Sequence, residues 1–220
     1  MQTLSNIRRT WKARLARHPA DAPPLRADLL SVDQLARHAV TVATDHGEVA
    51  KVRSNRLLAR LDENEAALRA FVRDTRTLEP GRRVTPATEW LLDNFYLIDE
   101  QIQTARKHLP RGFSRELPCL TCGPSTGLPR VFGIVVEILS HVDAQIDGDE
   151  LTAFVAAYQT VTPLQLGELW AIPIMLRLSL IENLRRISHR LSTARADRNL
   201  AAVWVDRLQE TAEDNPAISC

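Results

Sequence analysis

The longest apolar run of the chain extends from Thr162 to Arg186 and keeps helical spacing to about Leu191. Thr162 reads as a cap, Pro163 suits a first helical position, and Gln165 follows three residues after the cap, as a capping box requires. Pro173 predicts a kink rather than an end. The first half of this segment is apolar almost all round, so other helices must wrap it. A polar break near Ala196–Arg198 then predicts a separate short helix carrying Leu200, Val203, Trp204 and Leu208, followed by a loose tail to Cys220.

The remaining pattern is also helical. Leu4, Ile7, Trp11 and Leu15 form a stripe among Arg8, Arg9, Lys12, Arg14 and Arg17, which predicts a basic amphipathic helix over residues 1–18. Such a helix suits a membrane surface or a partner; the plainer reading is a frayed terminal helix with a solvated face. Pro19, Pro23 and Pro24 mark an arm after it. Ser31 opens a short helix that Gly47 ends, and a longer helix is expected over Val49–Leu78, with a turn at Glu79–Arg83. Thr85-Pro86 opens the next, whose Leu91, Phe95, Ile98, Ile102, Ala105 and Leu109 make a continuous seam. Residues 110–130, rich in proline and glycine, are expected to hold neither helix nor strand. Val131–Ile146 and Leu151–Tyr158 return to helix. No strand-period segment stands out.

The fold class is therefore all-α: antiparallel helical hairpins around a long central helix, with one long Pro/Gly/Cys loop. Three parts are expected: the basic helix and arm (1–30), a helical domain (31–195), and a short helix with its tail (196–220).

Composition adds limits. Lys+Arg is 28 against 27 Asp+Glu, so no bulk charge argues for nucleic acid. Apart from Lys12, Lys51 and Lys107, all of that basic charge is arginine. Three cysteines make no disulfide framework, and no secretory signal or membrane span is visible. The expected setting is the cytoplasm, with residues 1–18 offering contact with a membrane surface.

Candidate chemistry is sparse. Cys119 and Cys122 have the spacing of a zinc or dithiol motif, but no second pair exists; His108 and His141 are unforced partners, and two small residues in a turn is the simpler account. Asp147 and Asp149 resemble a metal-nucleotide motif, with His141 and Asp143 nearby and Glu137 one turn from His141. The structural account is a turn at Gly148 with Asp149 capping the next helix. No cofactor and no assigned metal follow. Arg111, Arg115, Arg130, Arg185 and Arg186 are candidates to converge near the loop, where they would meet phosphate or carboxylate, or pair with Glu116, Glu168 and Glu182. Trp90 and Trp170 sit beside Glu89 and Glu168, as a sugar contact requires, although core packing is the commoner use.

Glu89–Ile102, Leu109–Leu120, Gly127–Val131, Thr162–Arg177 and Ile181–Arg186 resemble the N-terminal region of bacterial cyclic β-1,2-glucan synthases. The resemblance runs from about Glu89 to Leu191, with a weaker extension over His38–Leu78. It implies a helical region that precedes a membrane-embedded glycosyltransferase using UDP-glucose and a carbohydrate-phosphorylase-like region. This chain lacks the transferase motifs, and its Cys119-Leu-Thr-Cys122-Gly-Pro segment departs from the family pattern.

Two roles follow from the resemblance. One is a non-catalytic module, or truncated relative, whose partner is the remainder of a glucan synthase or a glucan chain. The other is a region offering an acceptor hydroxyl, on Tyr158 or Tyr96, on which glucan is primed. An independent metal-dependent enzyme is a weaker third. Glu168, Trp170 and Arg177 are expected to face residues 89–109 and the loop, holding that loop in place.

Overall fold

In the computed structural model, the described residues are 24–25, 28–51, 56–77, 84–142 and 146–214. The basic helix 1–18 and most of its arm, the turn at 79–83, Asp143 and Cys220 lie outside them. The described elements are α1 (Val32–His46), β1 (Val49–Ala50), α2 (Leu57–Arg76), α3 (Pro86–Asp93), α4 (Phe95–His108), α5 (Arg111–Glu116), β2 (Cys119–Leu120), α6 (Arg130–His141), α7 (Gly148–Gln159) and α8 (Leu166–Asp214). The fold is all-α with a two-strand clip.

The first half of α8 is the axis of the bundle. Helices α6, α2 and α4 pack against it, while α1 packs along α7 and more lightly on α6. Ala171, Met175, Leu178 and Ile181 of α8 meet Ile134, Ile138, Leu61, Leu68 and Ile102 in one core cluster. Their spacing of four, three and three along α8 puts them on one face of the helix. No described helix is long and apolar enough to cross a membrane.

Several element ends differ from the sequence reading, each for a tertiary or capping reason. Residues 49–50 are strand, not helix: Gly47 turns the chain at φ +52°, and Val49 and Ala50 then pair antiparallel with Leu120 and Cys119. The 110–130 segment therefore holds a strand, and it also holds the short α5. Within it, Gly127 N–H donates to the Leu120 carbonyl at 2.8 Å and Arg130 N–H to the Pro118 carbonyl at 2.8 Å, so the loop is packed on itself. The helix expected through 85–109 is divided at Asn94, whose side-chain amide donates to the Trp90 carbonyl at 2.8 Å. Thr85 and Pro86 cap α3 as expected.

The central helix begins at Leu166 rather than beside Thr162. Thr162 N–H still closes the end of α7 on the Tyr158 carbonyl. The reaching-back side chain is Glu168, which accepts from Gln165 N–H at 2.9 Å. Asp147, not Asp149, caps α7. The polar residues Ala196–Arg198 do not interrupt α8, which runs unbroken for 49 residues, with Pro173 inside it.

Candidate functional site

α6 carries polar groups at both ends, each facing a different partner. At its start, Pro129 precedes Arg130, whose side chain enters the bundle and forks onto Glu168. Nε donates to Oε1 at 3.0 Å and Nη2 to Oε2 at 2.7 Å. Nη2 also donates to the Pro163 carbonyl at 3.2 Å. Both side chains are buried, Glu168 completely. Burial works against the Arg130 charge, but the hydrogen bonds and charge of Glu168 outweigh it and hold its pKa above the ordinary arginine value. The fork is the two-point geometry that guanidinium offers and ammonium does not.

The Tyr158 hydroxyl lies next to this pair, within hydrogen-bonding reach of Arg130. Burial pushes the phenol up to about 12. On its other side, His46 Nδ1 is 2.9 Å from the hydroxyl. Burial lowers the pKa of His46, which favours a neutral ring. Gly133 makes room for it: a Cβ there would lie 3.3 Å from the His46 ring and 3.2 Å from Leu120 Cδ1. A buried polar chain thus runs from Glu168 through Arg130 and Tyr158 to His46.

His46 also lines a cleft of about 210 Å³, together with His38, Asp45, Cys122, Ser125 and Glu137. His38 Nε2 is 3.2 Å from Glu137 Oε2. The rings of His38 and His141 meet edge-on with centroids 4.6 Å apart. Ligand-bearing atoms of His38, Glu137 and His141 lie within 4.8 Å of one another. His141 Nδ1 is 2.7 Å from the Asp28 carbonyl.

A second carboxylate, Glu182, is buried on α8. Arg60 Nη2 donates to both its oxygens, at 2.7 and 2.6 Å, and Arg186 Nη2 donates to Oε1 at 2.7 Å. Burial favours the neutral acid, but the two arginines win and hold its pKa below the ordinary value.

A stretch of 151 residues is 40% identical to the cyclic beta-(1,2)-glucan synthase NdvB of Rhizobium meliloti (strain 1021). The present chain is related to that synthase. The match covers 68% of this chain but only 5% of the length of NdvB. No protein-family model matches the chain.

This chain distributes its predicted site residues over several places. Glu168 and Arg130 pair, one of the arginine–glutamate pairings weighed against a convergent arginine cluster. Arg177 reaches across to Gln101 of α4, its Nε donating to Oε1 at 3.1 Å. Trp170 does not join them: it is 69% exposed, because it leaves α8 on the side away from the packed helices. Trp90 is exposed as well, so neither tryptophan is core. Arg111 and Arg115 do not meet Arg130. They border a separate recess with Arg56 and the start of α2.

Tyr158 has no exposed surface and its hydroxyl is engaged, which removes it as an accessible acceptor. Tyr96 is 67% exposed beside a groove lined by Arg69, Arg73, Arg76, Phe95 and Asp99. Cys119 is buried in β2, where burial pushes its thiol up to about 11, and Cys122 is exposed; both are free. Cys119 is therefore not a turn residue. His38 and His46 went unnoticed in the sequence. The available signal was their helix: His38, Val42, Asp45 and His46 fall at i, i+4, i+7 and i+8, one face of α1.

Proposed function

We propose that this chain is a non-catalytic helical module of the kind found in cyclic β-1,2-glucan synthases, or a truncated relative of one, and that it supports glucan synthesis from UDP-glucose by docking to the remainder of such an enzyme. The observation that carries this reading is the 40% identity sustained over 151 residues. The helical frame is consistent with it. The buried Arg130–Glu168 and Arg60–Glu182–Arg186 groups bind helices to one another rather than to a substrate. Residues 1–18 would add contact with the inner-membrane surface, and residues 31–195 would form the docking domain. The test is a domain exchange. A synthase whose matched stretch is replaced by this chain should retain glucan output from UDP-glucose in isolated membranes, whereas deletion of the stretch should abolish it. Equal output from the exchanged and deleted forms would overturn the reading.

The exposure of Tyr96 favours a second reading, in which this phenol accepts the first glucose. Incubation with UDP-glucose and a full synthase should then give a hexose ladder by intact mass that Tyr96→Phe abolishes. An unmodified wild-type mass would dispose of it.

A further inference from the structure

We propose that His38, Glu137 and His141 form a binding site for a divalent transition-metal ion of the zinc class, joining α1 to α6 beside the cleft. The proposal is independent of the glucan reading. Two imidazoles and a carboxylate are a donor set that zinc uses with a fourth position left open. Glu137 and His141 are one helical turn apart on α6, and His38 comes from the neighbouring α1, so the three are held by rigid elements.

The distances suit the ion. Tetrahedral zinc with bonds of about 2.0–2.1 Å places its ligand atoms about 3.3 Å apart. His38 Nε2 and Glu137 Oε2 are already 3.2 Å apart. All three ligand atoms fall within 4.8 Å, so rotation of side chains brings the set to coordination distance.

The outer contacts agree as well. His141 Nδ1 donates to the Asp28 carbonyl at 2.7 Å, which leaves the Nε2 lone pair bare. A backbone carbonyl fixing the second ring nitrogen is the usual support of a metal-bound histidine. Leu30 N–H donates to the His141 carbonyl at 3.2 Å and ties the same segment down.

The choice of partner is the strongest point. Glu168, Glu182, Glu65, Asp62 and Asp99 each pair with arginine. Among the described residues, Glu137 instead has His38 as its only ion-pair partner. In a chain this rich in arginine, a half-buried carboxylate facing two imidazoles is a different kind of cluster. Binding would displace the proton between His38 Nε2 and Glu137. The fourth position would face the cleft that His38 and Glu137 line, open to water or a small ligand.

The test uses the full chain, stripped with a chelator and titrated with zinc chloride by calorimetry, with cobalt(II) as a spectroscopic substitute. One ion per chain is expected. His38→Gln and Glu137→Gln should each weaken binding about 10- to 100-fold or more, with the far-ultraviolet dichroism of the metal-free protein unchanged. Cys122→Ser should leave binding as it was. Should one variant fail to fold, the other decides. No saturable binding by the wild-type chain would overturn the proposal. So would binding that survives both substitutions, or binding lost in Cys122→Ser.

Discussion

The two ends of α6 carry similar chemistry in opposite settings. At the N-terminal end, Arg130 and Glu168 are sealed in the core with their hydrogen bonds directed at each other, at the Pro163 carbonyl and at the Gln165 N–H. About two to three turns along the helix, Glu137 and His141 are half-buried beside His38, and Glu137 lines the cleft. The sealed pair has little capacity left for anything but the fold. The open group has no arginine partner among the described residues, and its carboxylate meets only His38. A buried charge pair therefore reports on architecture, whereas a half-exposed group without an arginine partner reports on binding capacity.

The largest test of this contrast is the sealed end. Arg130→Met leaves Glu168 buried without its partner and is expected to cost about 3–5 kcal/mol in chemical denaturation. Adding Glu168→Leu should recover much of that loss, because an apolar pair of similar volume avoids desolvating two charges. No recovery would mean that the pair does more than hold α8 to α6.

Tyr158→Phe is the next step down. It removes the hydroxyl that His46 Nδ1 contacts and leaves a buried polar atom without that partner, with an expected loss of about 1–3 kcal/mol. A neutral result would show that water replaces the hydroxyl from the cleft side.

Glu182 gives a pH test. Arg60 and Arg186 depress its folded-state pKa, so its contribution is present above the unfolded carboxylate value and is lost as pH falls through the folded value. Stability should decline on acidification below about pH 5. In Glu182→Gln that acid limb should be shallower, read from denaturation midpoints across pH. An unchanged slope would place the acid sensitivity elsewhere.

The smallest effect belongs to the open end. In metal-free protein, Glu137→Gln should change stability by less than about 1 kcal/mol, as for a partly exposed ion pair. A loss comparable to that of Arg130→Met would erase the contrast between the two ends.

Much of the bundle was legible before any coordinates. The seam Leu91–Leu109 and the long apolar run after Thr162 keep helical period, and the all-α class needs no more than that. Caps were legible only where they are local, as at Thr85 and at Ser31, whose N–H donates to Gln34 at 2.9 Å. The start of α8 was misplaced because the Pro163 carbonyl is taken by Arg130 from another helix. Val49 and Ala50 were misread because their strand partners lie across the fold at 119–120. Tyr158 stands as a candidate acceptor beside Tyr96 in the sequence because it ends a short helix before a proline-marked turn. Only its position between His46 and Arg130 shows that it is buried.

The sequence alone determined the helical class, the core-facing stripes and the kinship with cyclic glucan synthases, because periodicity and long motifs are properties of contiguous residues. The tertiary structure alone decided which polar groups meet. His38 and Glu137 are 99 residues apart along the chain, and Arg130 and Glu168 are 38 apart. Distances of that kind are closed by packing and leave no local signature. Packing also decided that Arg130 would be sealed and Glu137 left facing a cleft, although both stand on the same short helix.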